Sequence, residues 1–202
     1  MLSYDQNVII VDDFYQNPDR IREFGLARQF GKGSKDNFCG VQSENLELPN
    51  LKTIFRNLLK ASRLRFDRRE WVFGAFRKAQ LGDTGKSHIH FDPSDWSAVI
   101  YLSKVVGQVG TSFYRHKKTG LLGPTNELRR TRPWPQIRED GERIINGESK
   151  IMHQWELTHQ VEFRFNRLVL FRGRNFFHAP GPAFGSDSES CRLTQHFFFD
   201  VE

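Results

Sequence analysis

Leu168-Val169-Leu170-Phe171, Phe176-Phe177-His178-Ala179 and Arg192-Leu193-Thr194-Gln195-His196-Phe197-Phe198-Phe199 are three short β-rich runs, divided by Gly, Pro, Asn, Asp and Ser. Runs of this length between turn-forming residues are the pattern of strands in a sandwich or barrel. The same texture reaches back to Trp71, with further strands expected at 71–79, 87–92, 98–102, 111–114 and 155–165. Residues 117–150 interrupt it, being rich in Gly, Pro, Arg and Glu with little periodicity. A long insertion in a compact β domain is more often a functional loop or lid than a structural need.

Upstream the pattern differs. Val8-Ile9-Ile10-Val11 is a β-branched run ending at Asp12-Asp13. Asn17-Pro18-Asp19 then offers an N-cap, a proline at the first helical position and an early acid, and Ile21, Phe24, Leu26 and Ala27 continue a helix to about Phe30. Residues 31–49 read as a loop. Leu51, Ile54, Phe55, Leu58, Leu59 and Ser62 recur at helical spacing. The expectation is a single domain over 1–202, mainly β (α+β): an N-terminal strand and helices over 1–70, then a β core over 71–202 with the insertion at 117–150.

The 202 residues include 19 Phe and only two cysteines, Cys39 and Cys191, which gives an aromatic core and no disulfide framework. No apolar run is long enough to span a bilayer. The opening residues are polar and acidic where a signal peptide would be basic and then apolar, so a cytoplasmic, reduced setting is expected. The net charge of +6 is spread along the chain, and its densest stretches, 63–69 and 129–132, are short and interrupted. That distribution suits a solvated surface that favours anionic small molecules, and argues against a nucleic-acid groove. The oligomeric state is not readable.

His90-Phe91-Asp92 carries the chemistry. On a strand, residues two apart share a face, so His90 and Asp92 can converge on one ion. Joined by a distant histidine, they would form the two-histidine, one-carboxylate set of non-haem iron(II) oxygenases, which leaves adjacent positions open. His178, at the end of an apolar segment before Ala179-Pro180-Gly181, is the candidate. Arg192 follows at the start of a strand, and its planar fork can hold a carboxylate bidentately and stay charged when buried. Thr194 shares the face of Arg192.

This order, with Trp96-Ser97-Ala98-Val99-Ile100-Tyr101-Leu102-Ser103 and Gly110-Thr111-Ser112-Phe113-Tyr114 after it, resembles the iron(II) and 2-oxoglutarate-dependent dioxygenases, in their prolyl-4-hydroxylase-like branch. The opening 11–19 is similar to the strand-then-helix entry of those proteins. The resemblance implies a double-stranded β-helix (jelly-roll) core with the N-terminal helices packed against the larger sheet. It also implies iron(II) on His90, Asp92 and His178, and 2-oxoglutarate on Arg192, with Tyr101 and Thr194 beside it. Dioxygen would be the oxidant and an unactivated C–H bond of an amino acid, peptide or small metabolite the target, with no catalytic residue beyond the metal ligands. Arg192 departs from the Lys that prolyl hydroxylases often use. The absence of a second arginine over 193–199 weakens a nucleobase-demethylase reading, and the presence of Asp92 argues against halogenation.

Two alternatives stay open. Gly82 followed by His88-Ile89-His90 matches the first half of a cupin motif, in which His88 and His90 would bind metal without 2-oxoglutarate and Asp95 would replace the usual glutamate. Alternatively, the chain is a non-catalytic β-barrel binding protein, with buried structural histidines and Arg192 paired to a carboxylate such as Asp200. For substrate, Trp96, Arg115 and Arg77 are the candidates at the pocket mouth, with Trp134 in the insertion closing over it. Their positive charge would suit an acidic small molecule or a peptide-linked residue.

Overall fold

The computed structural model describes residues 4–31, 38–48, 50–66, 72–85, 88–124 and 134–202. Trp71, Ser87, residues 67–69 and 129–132 and the Trp134 side chain, all invoked above, lie outside the described residues. The elements in chain order are α1 (Tyr4–Asn7), β1 (Val8–Val11), α2 (Pro18–Leu26), β2 (Phe30–Gly31), β3 (Val41–Ser43), α3 (Leu51–Leu59) and β4 (Leu64–Arg65). Then come β5 (Phe73–Ala79), β6 (Trp96–Tyr101), β7 (Gln108–His116), α4 (Trp134–Glu148), β8 (Trp155–Phe163), β9 (Leu168–Phe171), β10 (Phe177–Pro180) and β11 (Arg192–Val201). The chain is thus mostly β, with a few helices.

β11 is the hub of the larger sheet, whose order is β1-β9-β6-β11-β5-β3-β2 with β4 also on β11; β10-β7-β8 form a second sheet. All pairings are antiparallel, and β11 aligns Thr194 with Arg77 on one side and Tyr101 on the other. Alternation then sorts every side chain of the hub. Leu193, Phe197 and Phe199 share a face with Trp96, Ala98 and Ile100, and on that face Leu51 and Phe55 of α3 join them in one core. Phe55 is fully buried against Phe73, Phe197 and Phe199. Burying one such ring contributes about 1.5–3 kcal/mol.

The opposite face of the same strands looks toward the smaller sheet. Val99, Tyr101, Val169 and Phe171 meet Phe113, Val161, Phe163 and Phe176 there. Behind the smaller sheet, Ile145 of α4 packs with Trp155, Phe177 and Ile89. The order of layers is therefore N-terminal helices, large sheet, small sheet, α4.

Several expectations need correction. Residues 88–92, the described part of the strand expected at 87–92, do not form one; His90 makes a single bridge to His178. The supposed loop 31–49 contains β3, which extends the large sheet. The Asn17 side chain makes no capping hydrogen bond, although Pro18 does open α2. The insertion holds α4, a 15-residue helix in a stretch with little periodicity.

Candidate metal and co-substrate site

His90 and His178 exchange backbone hydrogen bonds of 2.9 and 2.7 Å, which pins the 88–92 segment to β10. The Asp92 amide donates to the Gly173 carbonyl at 3.1 Å. Arg174 holds the far end of the segment, bonding the Pro93 carbonyl at 2.6 Å, Asp95 at 2.8 Å and Asp200 at 3.2 Å. Backbone tethers and one partly buried guanidinium thus do what a strand was expected to do.

One ligand atom each from His90, Asp92 and His178 lies within 4.8 Å of the others. His178 Nε2 stands 3.2 Å from Asp92 Oδ2, and His90 Nε2 stands 3.9 Å from Oδ1. The outer nitrogens fix the tautomers: His90 Nδ1 bonds the His88 carbonyl at 3.0 Å and His178 Nδ1 bonds the Phe176 carbonyl at 2.9 Å. A carbonyl can only accept, so each Nδ1 carries a proton, and in the neutral ring each Nε2 turns its lone pair to the cluster. Two lone pairs facing a carboxylate repel one another unless a cation lies between them.

Ser97 Oγ donates to Asp92 Oδ2 at 2.5 Å and orients the carboxylate. Burial alone would push Asp92 up, but His178, His90 and the Ser97 hydroxyl outweigh it and hold the carboxyl below the usual range. Burial, and then His178, hold His90 down to about 4, leaving its imidazole neutral at physiological pH. The side chain of His90 is 36% exposed against 5% for His178, so the cluster opens on the His90 side.

Arg192 is buried on the same face. Its Nη2 donates to the Gly110 carbonyl at 3.3 Å, while its Nε has no hydrogen-bond partner. An orphaned buried guanidinium N–H is costly, and a ligand carboxylate would satisfy it. Burial pulls Arg192 down from its ordinary value, with Tyr101 offsetting part of this. The Tyr101 hydroxyl pairs with Thr111 Oγ1 at 2.7 Å, and burial raises it to about 12, so it stays protonated. Gly110 is needed for close approach, since a β-carbon there would lie 2.5 Å from the Tyr101 oxygen. Thr194 Oγ1 pairs with His196 Nε2 at 2.8 Å.

Other expected residues lie elsewhere. Trp96 neighbours Ser97 on β6 and so points the opposite way, into the helix-facing core beneath Arg172; it does not line this site. Arg115 is exposed and pairs with Glu156 at 3.1 Å. Arg77 does share the face of Thr194. His88 contributes its carbonyl to His90 and its ring is not in the cluster, while Asp95 is paired to Arg174, which leaves the cupin-type set unassembled. Asp200 is held by Arg174 and the Asp95 amide, so it is not the partner of Arg192. Ser97, Gly173 and Arg174 were not singled out from sequence; an isolated Ser, Gly or Arg carries no signal until its neighbours are known.

The family described as "Family of unknown function (DUF6445)" matches residues 2–199. No curated protein matches the sequence. Among solved structures, HygX from Streptomyces hygroscopicus with nickel, 2-oxoglutarate and hygromycin B bound is similar at 12% identity and a TM-score of 0.56, covering 97% of this chain and 84% of that one. SnoK, a non-haem alpha-ketoglutarate-dependent carbocyclase from nogalamycin biosynthesis, is similar at 15% identity and a TM-score of 0.53, covering 97% and 80%. At these identities the likeness is one of fold. No helix among the described residues is long and apolar enough to cross a membrane.

Proposed function

The chain belongs to the DUF6445 family, whose function is unknown, and we propose that it is a non-haem iron(II), 2-oxoglutarate-dependent oxygenase that hydroxylates an unactivated C–H bond. The observation that carries this reading is the convergence of His90, Asp92 and His178 with the unsatisfied Arg192 on one buried face. The donor set of two imidazoles and one carboxylate suits iron(II) and leaves positions for co-substrate and dioxygen. In support, HygX, of similar fold, holds nickel and 2-oxoglutarate.

His90, Asp92 and His178 would hold the metal, and Arg192, Tyr101 and Thr194 the distal carboxylate of 2-oxoglutarate. When bound, these groups supply an oxidation in which 2-oxoglutarate and dioxygen give succinate and carbon dioxide as the substrate takes up an oxygen atom. The chain's own work is positional. The carbonyls of His88 and Phe176 accept from Nδ1, so that the neutral imidazoles would turn their Nε2 lone pairs to the metal, and Ser97 orients the carboxylate. Phe113 and Phe171 pack their rings beside His178, at 6.3 and 4.7 Å, and would shield that side of the metal from water. No protein acid, base or nucleophile is required.

The fold read this way is a double-stranded β-helix in one domain over 1–202, with its core at 71–202 and an insertion at 117–150 whose helix backs the small sheet. The residues after Asp92, with Tyr101 beside Arg192, favour the prolyl-4-hydroxylase-like branch. The substrate is a small molecule or a peptide-linked residue, and the setting is cytoplasmic.

Anaerobic titration with iron(II), with and without 2-oxoglutarate, tests the reading. A weak visible charge-transfer band is expected only with both present, and is expected to be lost in Asp92→Ala. Iron binding without such a band would leave a metal protein that does not use 2-oxoglutarate. No iron binding would leave a β-sandwich without this catalysis.

A further inference from the structure

A second guanidinium shares the buried face with Arg192. Arg77 on β5 is the register partner of Thr194, which in turn is the partner of Tyr101. Its Cζ lies 5.7 Å from the ring of Phe198, which is aligned with Ser97, the residue that bonds Asp92. The side chain therefore leans along the sheet toward the metal end, whereas Arg192 bonds Gly110 at the other. Its orientation is fixed on the remaining sides: Nε donates to Gln42 Oε1 at 2.8 Å, and Phe38 stacks on the guanidinium at 4.2 Å. Among the described residues no carboxylate is paired with it. Burial lowers Arg77 to about 10, with Asp92 opposing and Arg192 assisting that fall, so it remains a cation at neutral pH.

The charge in the loaded site does not balance. Iron(II) brings two positive charges, and Arg192 and Arg77 bring one each. Asp92 supplies one negative charge and 2-oxoglutarate two. The two histidine ligands would be neutral imidazoles in the loaded site and add no charge, and burial pushes His196 toward its neutral form. One positive charge is left, and it sits on Arg77. An uncompensated charge withdrawn from water is unfavourable, and here it is braced by Gln42 and Phe38 on the face that carries Thr194, where a fork of donors matches a carboxylate or phosphate.

We infer that Arg77 is the substrate-recognition residue of this site and that the substrate carries an anionic group, a carboxylate or phosphate monoester, which Arg77 holds on the metal side of Thr194. The inference rests on the oxygenase reading above. Gln42 and Phe38 act through Arg77 as positioning residues, aiming the guanidinium inward. Specificity would follow from charge: an amide or alcohol of the same shape leaves the cation unpaired, and is rejected for that reason.

The test uses full-length protein loaded anaerobically with cobalt(II) and saturating 2-oxoglutarate, with phenylacetate and phenylacetamide as probes, their binding read from paramagnetic broadening of the probe protons. Wild-type protein is expected to bind the acid at least tenfold more tightly than the amide. Arg77→Met should abolish the preference and Arg77→Lys should keep part of it. In parallel, the iron(II) charge-transfer band should report a 2-oxoglutarate affinity in Arg77→Met within about threefold of wild type, which also shows that the variant is folded. Equal binding of the two probes by wild type, binding of neither, or a preference that survives in Arg77→Met overturns the inference. So does a loss of 2-oxoglutarate affinity in Arg77→Met as large as that in Arg192→Met, which would assign Arg77 to the co-substrate. Absence of the band from wild-type protein would instead overturn the oxygenase reading, and the inference with it.

Discussion

Gly173 backs directly onto Asp92: its carbonyl accepts the Asp92 amide at 3.1 Å, and a β-carbon at position 173 would stand 2.7 Å from Oδ2 and 2.1 Å from Ser97 Oγ. The carboxylate, the hydroxyl that orients it and the bare backbone behind them occupy one tight space. Gly173→Ala must therefore displace Asp92 or Ser97. Iron(II) affinity is expected to fall at least tenfold in anaerobic titration, with the circular dichroism spectrum unchanged. Wild-type affinity in this variant would show that the carboxylate position is not critical.

Ser97→Ala removes the hydroxyl without adding bulk. A hydrogen bond to a charged group contributes about 1.5–3 kcal/mol, and loss of an outer partner of a metal ligand typically lowers affinity about 10–100-fold. The expectation is a drop in that range, read by competition with a chelating dye, and a thermal midpoint lowered by only a few degrees.

Arg192→Met is predicted to act in opposite directions on binding and on stability. Losing one side of a buried charge pair costs roughly 2–5 kcal/mol, so the dissociation constant for 2-oxoglutarate should rise about 30-fold or more. The ligand-free protein should be as stable as wild type or more so, because a buried cation with an unsatisfied Nε is replaced by an apolar chain of similar length. Calorimetry of both proteins, with and without 2-oxoglutarate, checks the pair of signs.

Asp12, at the end of β1, receives Arg167 Nε at 2.6 Å and Arg164 at 3.1 Å. The Arg167 hydrogen bond holds its carboxyl below the ordinary value. Since the folded pKa lies below the unfolded one, the stabilisation is fully present above the unfolded value of about 4 and is lost as pH falls through the folded value. Asp12→Asn should thus lower stability by up to about 1 kcal/mol at pH 7, given its partial exposure, and the difference should close in strong acid. Denaturant unfolding of both proteins across the pH range reads this out.

How much of the molecule was legible follows from where its signals are local. Val8–Val11 and Leu168–Phe171 were readable to the residue, since β-branched or apolar runs between turns leave little choice of boundary. Arg192 and Thr194 were legible as neighbours because residues two apart on one strand share a face, whereas His90 and Asp92 were paired on a strand argument that 88–92 does not obey. Trp96 was misplaced because pocket-mouth reasoning ignored alternation: with Ser97 toward Asp92, Trp96 must face the helices. α4 was hidden because Pro135, Gly141 and Gly147 and many charges dilute its periodicity, and its Ile145 finds apolar surface only on the far side of a sheet built from distant sequence. The strand expected through His90 failed because, among the described residues, the segment has only one bridge partner, His178, a pairing no local pattern encodes.

That bridge also sets when in the life of the chain a cation can be captured. Synthesis delivers His90 and Asp92 early, but each belongs to a segment with no shape of its own until β10 and the turn bearing Gly173 have emerged to receive it. The strand carrying Arg192 is later still. On the oxygenase reading, metal capture would then follow the docking of 88–92 on β10, and a chain that ended before β10 would lack the third ligand, His178.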